Sequence, residues 1–319
     1  MHLKQNYFFK IVLFFIILFL LIAYFSRLMI PKDNMEQYGM QNVSANGILA
    51  EKQNSIDVLF LGDSLAYSSI SPMKMYENKG FTSYLCSTPA QPLYYTRSLL
   101  ERTLKNQNPQ VVLLEVDAVF RDFDISAPFI QEIQHIFPLF EYHDRWKNLQ
   151  SKDWLGKVHY TYNNSFKGSH LEKNIQPIYD IKNYMNKPKK VEKIPWANYL
   201  ILDSIVNSCK ENNCALVFFS APSYTNWNWK RHNEIQKYCE EKSIPYLDLN
   251  TDTYSISIDW TKDTRDKGDH LNYNGALKVT SFIEDYLKQN FNLPDHRKDP
   301  SYRHWGEALI AYKKAVNSL

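Results

Sequence analysis

Glycine is scarce in this chain, at 9 of 319 residues, and there are only 4 cysteines. So little glycine beside 44% hydrophobic and 15% aromatic residues argues against a disordered chain and provides for a sizeable core. Cys86, Cys209, Cys214 and Cys239 form no paired CxxC motifs and have no histidine cluster at zinc-ligand spacing, so neither a metal nor another cofactor is expected. Cys209 and Cys214 flank a short turn, which leaves a local disulfide and free buried thiols both open. Charge of one sign is never massed. The net charge is +3, and the densest basic run, Lys187–Lys193, reads as a solvated linker rather than a polyanion site, so no nucleic-acid partner is expected. No internal repeat is visible.

Formal charge is absent from residues 11–26, which are nearly all apolar and bracketed by Lys10 and Arg27. Extended by Phe8, Phe9 and Leu28–Ile30, the run is long enough to span a bilayer. A cleaved signal peptide is the competing reading. It lacks a small-x-small site after the apolar run, so an uncleaved anchor over residues 1–30 is expected.

Ile56–Leu65, with the sequence IDVLFLGDSL, reads as a buried parallel strand that empties into a sharp turn carrying Ser64. Open α/β sheets place their sites at that carboxyl edge. Asp63 and Ser64 could instead simply cap the next helix. A base and its orienter come late in the chain, in the run DKGDHLNYNGA at 266–276, where His270 can take a serine proton and Asp266 or Asp269 can fix the imidazole. Asp266 is favoured, because side chains adjacent in an extended segment point apart.

The order of a strand with Gly-Asp-Ser-Leu followed by a late Asp/His loop before the last core helix resembles the SGNH/GDSL hydrolase superfamily over roughly residues 55–290. The chain looks most like membrane-anchored DltD-like proteins of surface-polysaccharide and teichoic-acid pathways, with Tyr142–Lys147 and Asp269–Ala276 carrying the narrower likeness. The resemblance implies an α/β three-layer sandwich of flavodoxin-like type with a five-stranded parallel sheet, beside the N-terminal transmembrane helix. It also implies an oxyanion hole that this chain fills differently. Ser87 stands near the usual glycine, Gln91 is an alternative donor, and the third strand ends in Asp117 where asparagine is usual.

Residues 31–54 read as a polar stalk and 55–290 as the hydrolase-like domain. Within that domain residues 117–194 break the βα alternation and are expected to form an insertion, a lid or rim over the site. Residues 291–319 form a C-terminal extension whose 304–318 helix docks through Leu309, Ile310, Tyr312 and Ala315. In the insertion, His143, Arg145 and Trp146 either bind an anionic substrate or brace the fold. Glu115 and Asp117 need partners, with Arg121 or Arg145 the candidates. Tyr224, Trp227 and Trp229 could face a sugar or acyl chain, or cover a helix.

The expected function is a single-pass type II bacterial membrane protein whose extracytoplasmic domain is a serine esterase or O-acyltransferase. Its substrate would be an acyl ester of a cell-surface glycan or teichoic-acid-like polymer, and by resemblance a membrane O-acyltransferase is a partner. The rival is a catalytically silent polysaccharide-assembly protein. An intracellular esterase would require the opposite topology.

Overall fold

In the computed structural model, residues 2–182, 184–186, 189–254 and 256–319 are described. Lys187 and Pro188 of the basic run therefore lie outside the described residues. Chain order runs from α1 (His2–Met29) and α2 (Val43–Asn46) into β1 (Val58–Gly62), α3 (Ser64–Ser69), α4 (Pro72–Lys79), β2 (Ser83–Ser87), α5 (Leu93–Leu104) and β3 (Val111–Glu115). Three helices follow, α6 (Ser126–Ile136), α7 (Pro138–Glu141) and α8 (Ser151–Leu155). The alternation then resumes with α9 (Trp196–Glu211), β4 (Ala215–Ser220), α10 (Trp229–Lys242), β5 (Tyr246–Asp248), α11 (Tyr273–Asn290) and α12 (Arg303–Asn317).

The chain divides into two compact units. One comprises residues 1–43 and 124–162, the other 44–123 and 163–319. In the larger unit the strands pair in parallel in the order β2-β1-β3-β4-β5, a doubly wound sheet of the kind expected from the sequence. Apolar residues run without interruption along β1 and β3 because both faces are covered. Leu59, Leu61, Val112 and Leu114 belong to one core with Leu202 and Ile205 of α9. Val58, Phe60, Val111 and Leu113 belong to the other, with Val279 and Ile283 of α11.

Three expectations about organisation are corrected. Residues 31–54 are not a free polar stalk. Asp33 accepts hydrogen bonds from Thr161 N and Oγ1 at 2.8 and 2.6 Å, and Tyr162 N donates to Asn34 Oδ1 at 2.8 Å, while Ala45, Ile48 and Glu51 are buried in the larger unit. The insertion is not one piece, since 124–162 joins α1 in the smaller unit and 163–194 returns to the larger one. The last helix packs through Trp305, Tyr312 and Val316, with Ser71 Oγ 2.8 Å from Tyr312 Oη; Ile310 is exposed. The four cysteines are free and buried.

Candidate active site

At the end of β1 the backbone of Gly62 has φ +152°, and a side chain there would meet Glu115 Cβ at 2.7 Å and Ala66 Cβ at 2.8 Å. Glycine therefore lets β3 and α3 close around the turn. Asp63 caps α3 through Leu65 N at 2.9 Å and is fully buried, with its other oxygen taking Arg121 Nη2 at 2.5 Å. The capping role thus belongs to Asp63. Ser64 is the first residue of α3 and remains partly exposed.

The loop 264–271 holds the imidazole. Lys267 and Gly268 both have positive φ, 61° and 88°, which turns the chain back so that Asp266 meets His270 twice. Its Oδ1 accepts from His270 N at 2.6 Å and its Oδ2 lies 2.6 Å from Nδ1. Thr264 Oγ1 locks the curl by accepting from Gly268 N at 2.7 Å and donating to His270 O at 3.0 Å. Asp269 is 3.6 Å from Nδ1, and its carboxylate accepts a hydrogen bond from Asn226 Nδ2. The physical ground for preferring Asp266 is thus a tight turn, not an extended segment. The opposite ring atom, Nε2, is buried and has no hydrogen-bond partner among the described residues, so it is not bonded to the Ser64 hydroxyl. Catalytic hydrogen bonds are often long before substrate binds.

Beside the serine lie two residues that the sequence alone did not single out. Tyr67, one helical turn on, has its phenol against both the Ser64 hydroxyl and the Arg265 guanidinium. Burial raises the phenol's pKa, and Arg265 opposes that rise. Arg265 Nη1 lies 3.1 Å from Glu172 Oε1, and its Nε 3.7 Å from Asp266 Oδ2. The i, i+3 spacing of Ser64 and Tyr67 was the available signal. For Arg265 it was adjacency to Asp266.

On the other side of the nucleophile turn, Ser87 pairs in register with Gly62 and has a buried hydroxyl with no hydrogen-bond partner among the described residues. Gln91 is engaged in bracing its own turn. Its Oε1 accepts from Thr88 Oγ1 at 3.0 Å and its Nε2 donates to Thr96 Oγ1 at 2.9 Å, which commits one of its two N–H donors to the turn. Asp117 accepts from Arg231 Nη1 at 2.7 Å and more weakly from Arg121 at 3.4 Å. Burial and Asp63 push its carboxyl up to about 6, with the two arginines opposing. Glu115 is pushed well above the carboxylate range by burial, then by Asp63 and Asp117.

Neither candidate partner pairs with Glu115. Arg121 is committed to Asp63 and Asp117, and among the described residues Glu115 accepts only backbone N–H groups, from Asp117 at 3.0 Å and Ala221 at 3.4 Å. Arg145 belongs to the smaller unit, where its guanidinium is buried against Met29 O at 2.6 Å and Asp153 Oδ1 at 2.8 Å. It braces the end of α1. His143, also in the smaller unit, is exposed and contacts Phe140 O at 3.3 Å. Arg231 carried no local signal, as it lies 114 positions from Asp117.

A cleft of about 810 Å³ opens beyond β4 and β5, lined by Tyr184, Pro222, Trp229, Asn250, Asp252 and Trp260. Trp229 stacks on His232 with centroids 4.3 Å apart, whereas Trp227 is buried and donates to Asp248 Oδ2 at 3.0 Å. Asp266, Asp269 and His270 bring possible ligand atoms within 4.8 Å of one another. Hydrogen bonds already occupy both carboxylates and the Nδ1 edge.

No family model matches the chain, and no curated protein matches its sequence. Solved structures similar in fold include a GDSL-like lipase from Bacteroides thetaiotaomicron VPI-5482, at 12% identity over 78% of this chain and 100% of that one, with a TM-score of 0.40. A lipase/acylhydrolase from Enterococcus faecalis gives 9% identity over 75% and 98%, with a TM-score of 0.41. The acetyl xylan esterase AlAXEase gives 15% over 73% and 100%, also with a TM-score of 0.41.

Proposed function

We propose that this chain is a membrane-anchored serine esterase or O-acyltransferase acting on acyl esters of a cell-surface glycan or teichoic-acid-like polymer. The carrying observation is the 2.6 Å contact of Asp266 with His270 Nδ1, which leaves the enclosed Nε2 edge without a competing partner. In that arrangement Nε2 takes the Ser64 proton as Oγ attacks the acyl carbonyl, and the Asp266 carboxylate stabilises the imidazolium. The tetrahedral intermediate collapses as Nε2 returns the proton to the departing alcohol. Water or a sugar hydroxyl then attacks acyl-Ser64, giving its proton to Nε2, which passes it to Ser64 Oγ. The Ser64 backbone N–H, at the start of α3, is one donor for the oxyanion. The aromatic cleft beside β5 supports a glycan acceptor.

A fluorophosphonate probe tests this reading. Wild type is expected to be labelled, Ser64→Ala to lose labelling with its circular dichroism unchanged, and His270→Ala to be labelled far more slowly. Labelling that persists in Ser64→Ala places the chemistry elsewhere. A folded wild type that takes no label favours the second reading, a catalytically silent assembly protein, which the missing Ser64–His270 hydrogen bond supports. Transfer is separated from hydrolysis by offering an aryl acetate with and without surface oligosaccharide. Acylated sugar supports the transferase, and acetate release that sugar does not divert supports the esterase.

The α1 segment Tyr7–Met29 is a helix long and apolar enough to cross a membrane. We read it as the anchor, with the larger unit outside the cytoplasm and a membrane O-acyltransferase as partner. Protease treatment of intact spheroplasts is expected to digest the larger unit, and protection until lysis reverses the orientation.

A further inference from the structure

Several large apolar side chains along α6 and α7 of the smaller unit face outward. On α6 Phe129 is 68% exposed, Ile136 66% and Ile130 also exposed, as are Ile125 before it and Phe140 on α7, while Gln131, Glu132, Gln134 and His135 are partly covered. Charged, exposed residues bracket this stretch, with Asp124 capping α6 through Ser126 N at 2.8 Å and Asp144 paired to Lys147 at 2.9 Å. An amphipathic helix in water shows the reverse pattern.

The same stretch lies along α1. Phe137, in the turn between α6 and α7, meets Phe19 edge-on with centroids 6.1 Å apart, and α7 packs against α1. The chain then returns toward the end of α1, where Arg145 reaches Met29 O. Phe19 precedes Arg27 by eight residues, roughly 12 Å of helix, against a hydrocarbon core about 30 Å thick. With α1 in a bilayer and Arg27 at its surface, Phe137 sits well inside the hydrocarbon. The apolar span of α1 is itself uncovered. Within α6 the backbone hydrogen bonds are largely internal, as lipid favours, and α7 closes through Tyr142 N to Pro138 O at 2.9 Å.

We propose that residues 125–142 are a re-entrant membrane segment, dipping into the lipid beside α1 with Phe129, Ile130, Ile136 and Phe140 against acyl chains. The proposal rests on reading α1 as the anchor. The segment's occupant is the bilayer itself, and the insertion adds a second hydrophobic attachment next to the spanning helix.

The test uses the full chain reconstituted in phosphatidylcholine/phosphatidylglycerol vesicles, with a nitroxide on Phe129→Cys or Ile136→Cys. The native thiols are buried, so the introduced cysteine is the reporter. Ile16→Cys marks the anchor and Asp144→Cys the aqueous phase. Collision rates with oxygen and with a water-soluble nickel chelate are compared. Labels at 129 and 136 are expected to favour oxygen several-fold over the label at 144, as at 16. Labels at 129 and 136 that behave like 144, with 16 in lipid, overturn the re-entrant segment alone and point to a protein cover missing from the vesicles. A label at 16 in water overturns the anchor reading and this proposal together. Two label sites guard against one variant failing to fold.

Discussion

Phe60 and Phe129 are the same side chain in opposite settings. Phe60, on β1 of the larger unit, is fully buried and meets Phe219 edge-on at 6.5 Å, whereas Phe129 on α6 of the smaller unit faces outward. The larger unit is sorted as a protein in water is sorted, with apolar strands inside and its polar cluster gathered at one sheet edge. Along α6 and α7 of the smaller unit the order is reversed, while Leu28, Met29, Met40 and Tyr142 of that unit stay buried. Apolar periodicity is the same signal in both cases, and on the re-entrant reading what differs is the solvent each face meets.

The comparison makes its strongest claim at Phe60. Phe60→Ala is expected to lower the unfolding free energy by about 3–5 kcal/mol, since the cavity left on the sheet face beneath α11, beside Phe219, Val279 and Ile283, cannot collapse within a core closed on both sides. Urea unfolding of the full chain in detergent measures it. A loss below about 1 kcal/mol would mean the larger core is loosely packed and the contrast overstated.

The next effect concerns the proposed chemistry, whose residues Ser64, Asp266 and His270 all belong to the larger unit. Asp266→Asn is expected to lower kcat for an aryl ester by about 10²-fold, less than the roughly 10⁴-fold known for a buried orienting carboxylate, because Asp266 is 34% exposed. Asp269→Asn should retain most activity, its carboxylate being held by Asn226. The reverse ranking would transfer the orienting role to Asp269.

Much of this site was legible in the sequence because its signals are local. Four-to-six-residue apolar runs gave the strands, Gly62 with Ser64 marked the turn, and Asp266 with His270 fell within one loop. What was illegible depends on distant partners. Arg231 reaches Asp117 across 114 positions, and residues 33–34 clamp to 161–162 across 128. Local composition therefore hid the arginine contact and lent residues 31–54 the character of a stalk. The outward face of α6 failed for another reason. A 3.6-residue pattern shows that a helix has two faces but not which solvent each one meets.

Arg231→Gln should have a smaller, pH-dependent effect. Asp117, pushed up to about 6 in the folded chain against 3.8 for the free side chain, binds its proton more tightly folded than unfolded. Its contribution to stability is therefore fully present below about 3.8 and declines as pH rises through about 6. Arg231 limits that decline by favouring the ionised form. Its removal is expected to cost about 2 kcal/mol at pH 7.5 and clearly less at pH 5, where Asp117 is largely protonated. Equal losses at both pH values would show that Asp117 does not titrate in this range.

Phe129→Ser carries the smallest expected effect and exposes the comparison most directly. No cavity forms when a side chain with two thirds of its surface uncovered is shortened, and if α6 meets lipid the ring contacts the micelle in both folded and unfolded chains. The unfolding free energy should therefore change by no more than about 0.5 kcal/mol, as for surface substitutions free of special contacts. Measured beside Phe60→Ala in one detergent, the pair reads the two settings on a common scale. A loss at Phe129 rivalling that at Phe60 would mean that protein rather than lipid covers α6, and the reversed sorting of the smaller unit would no longer stand.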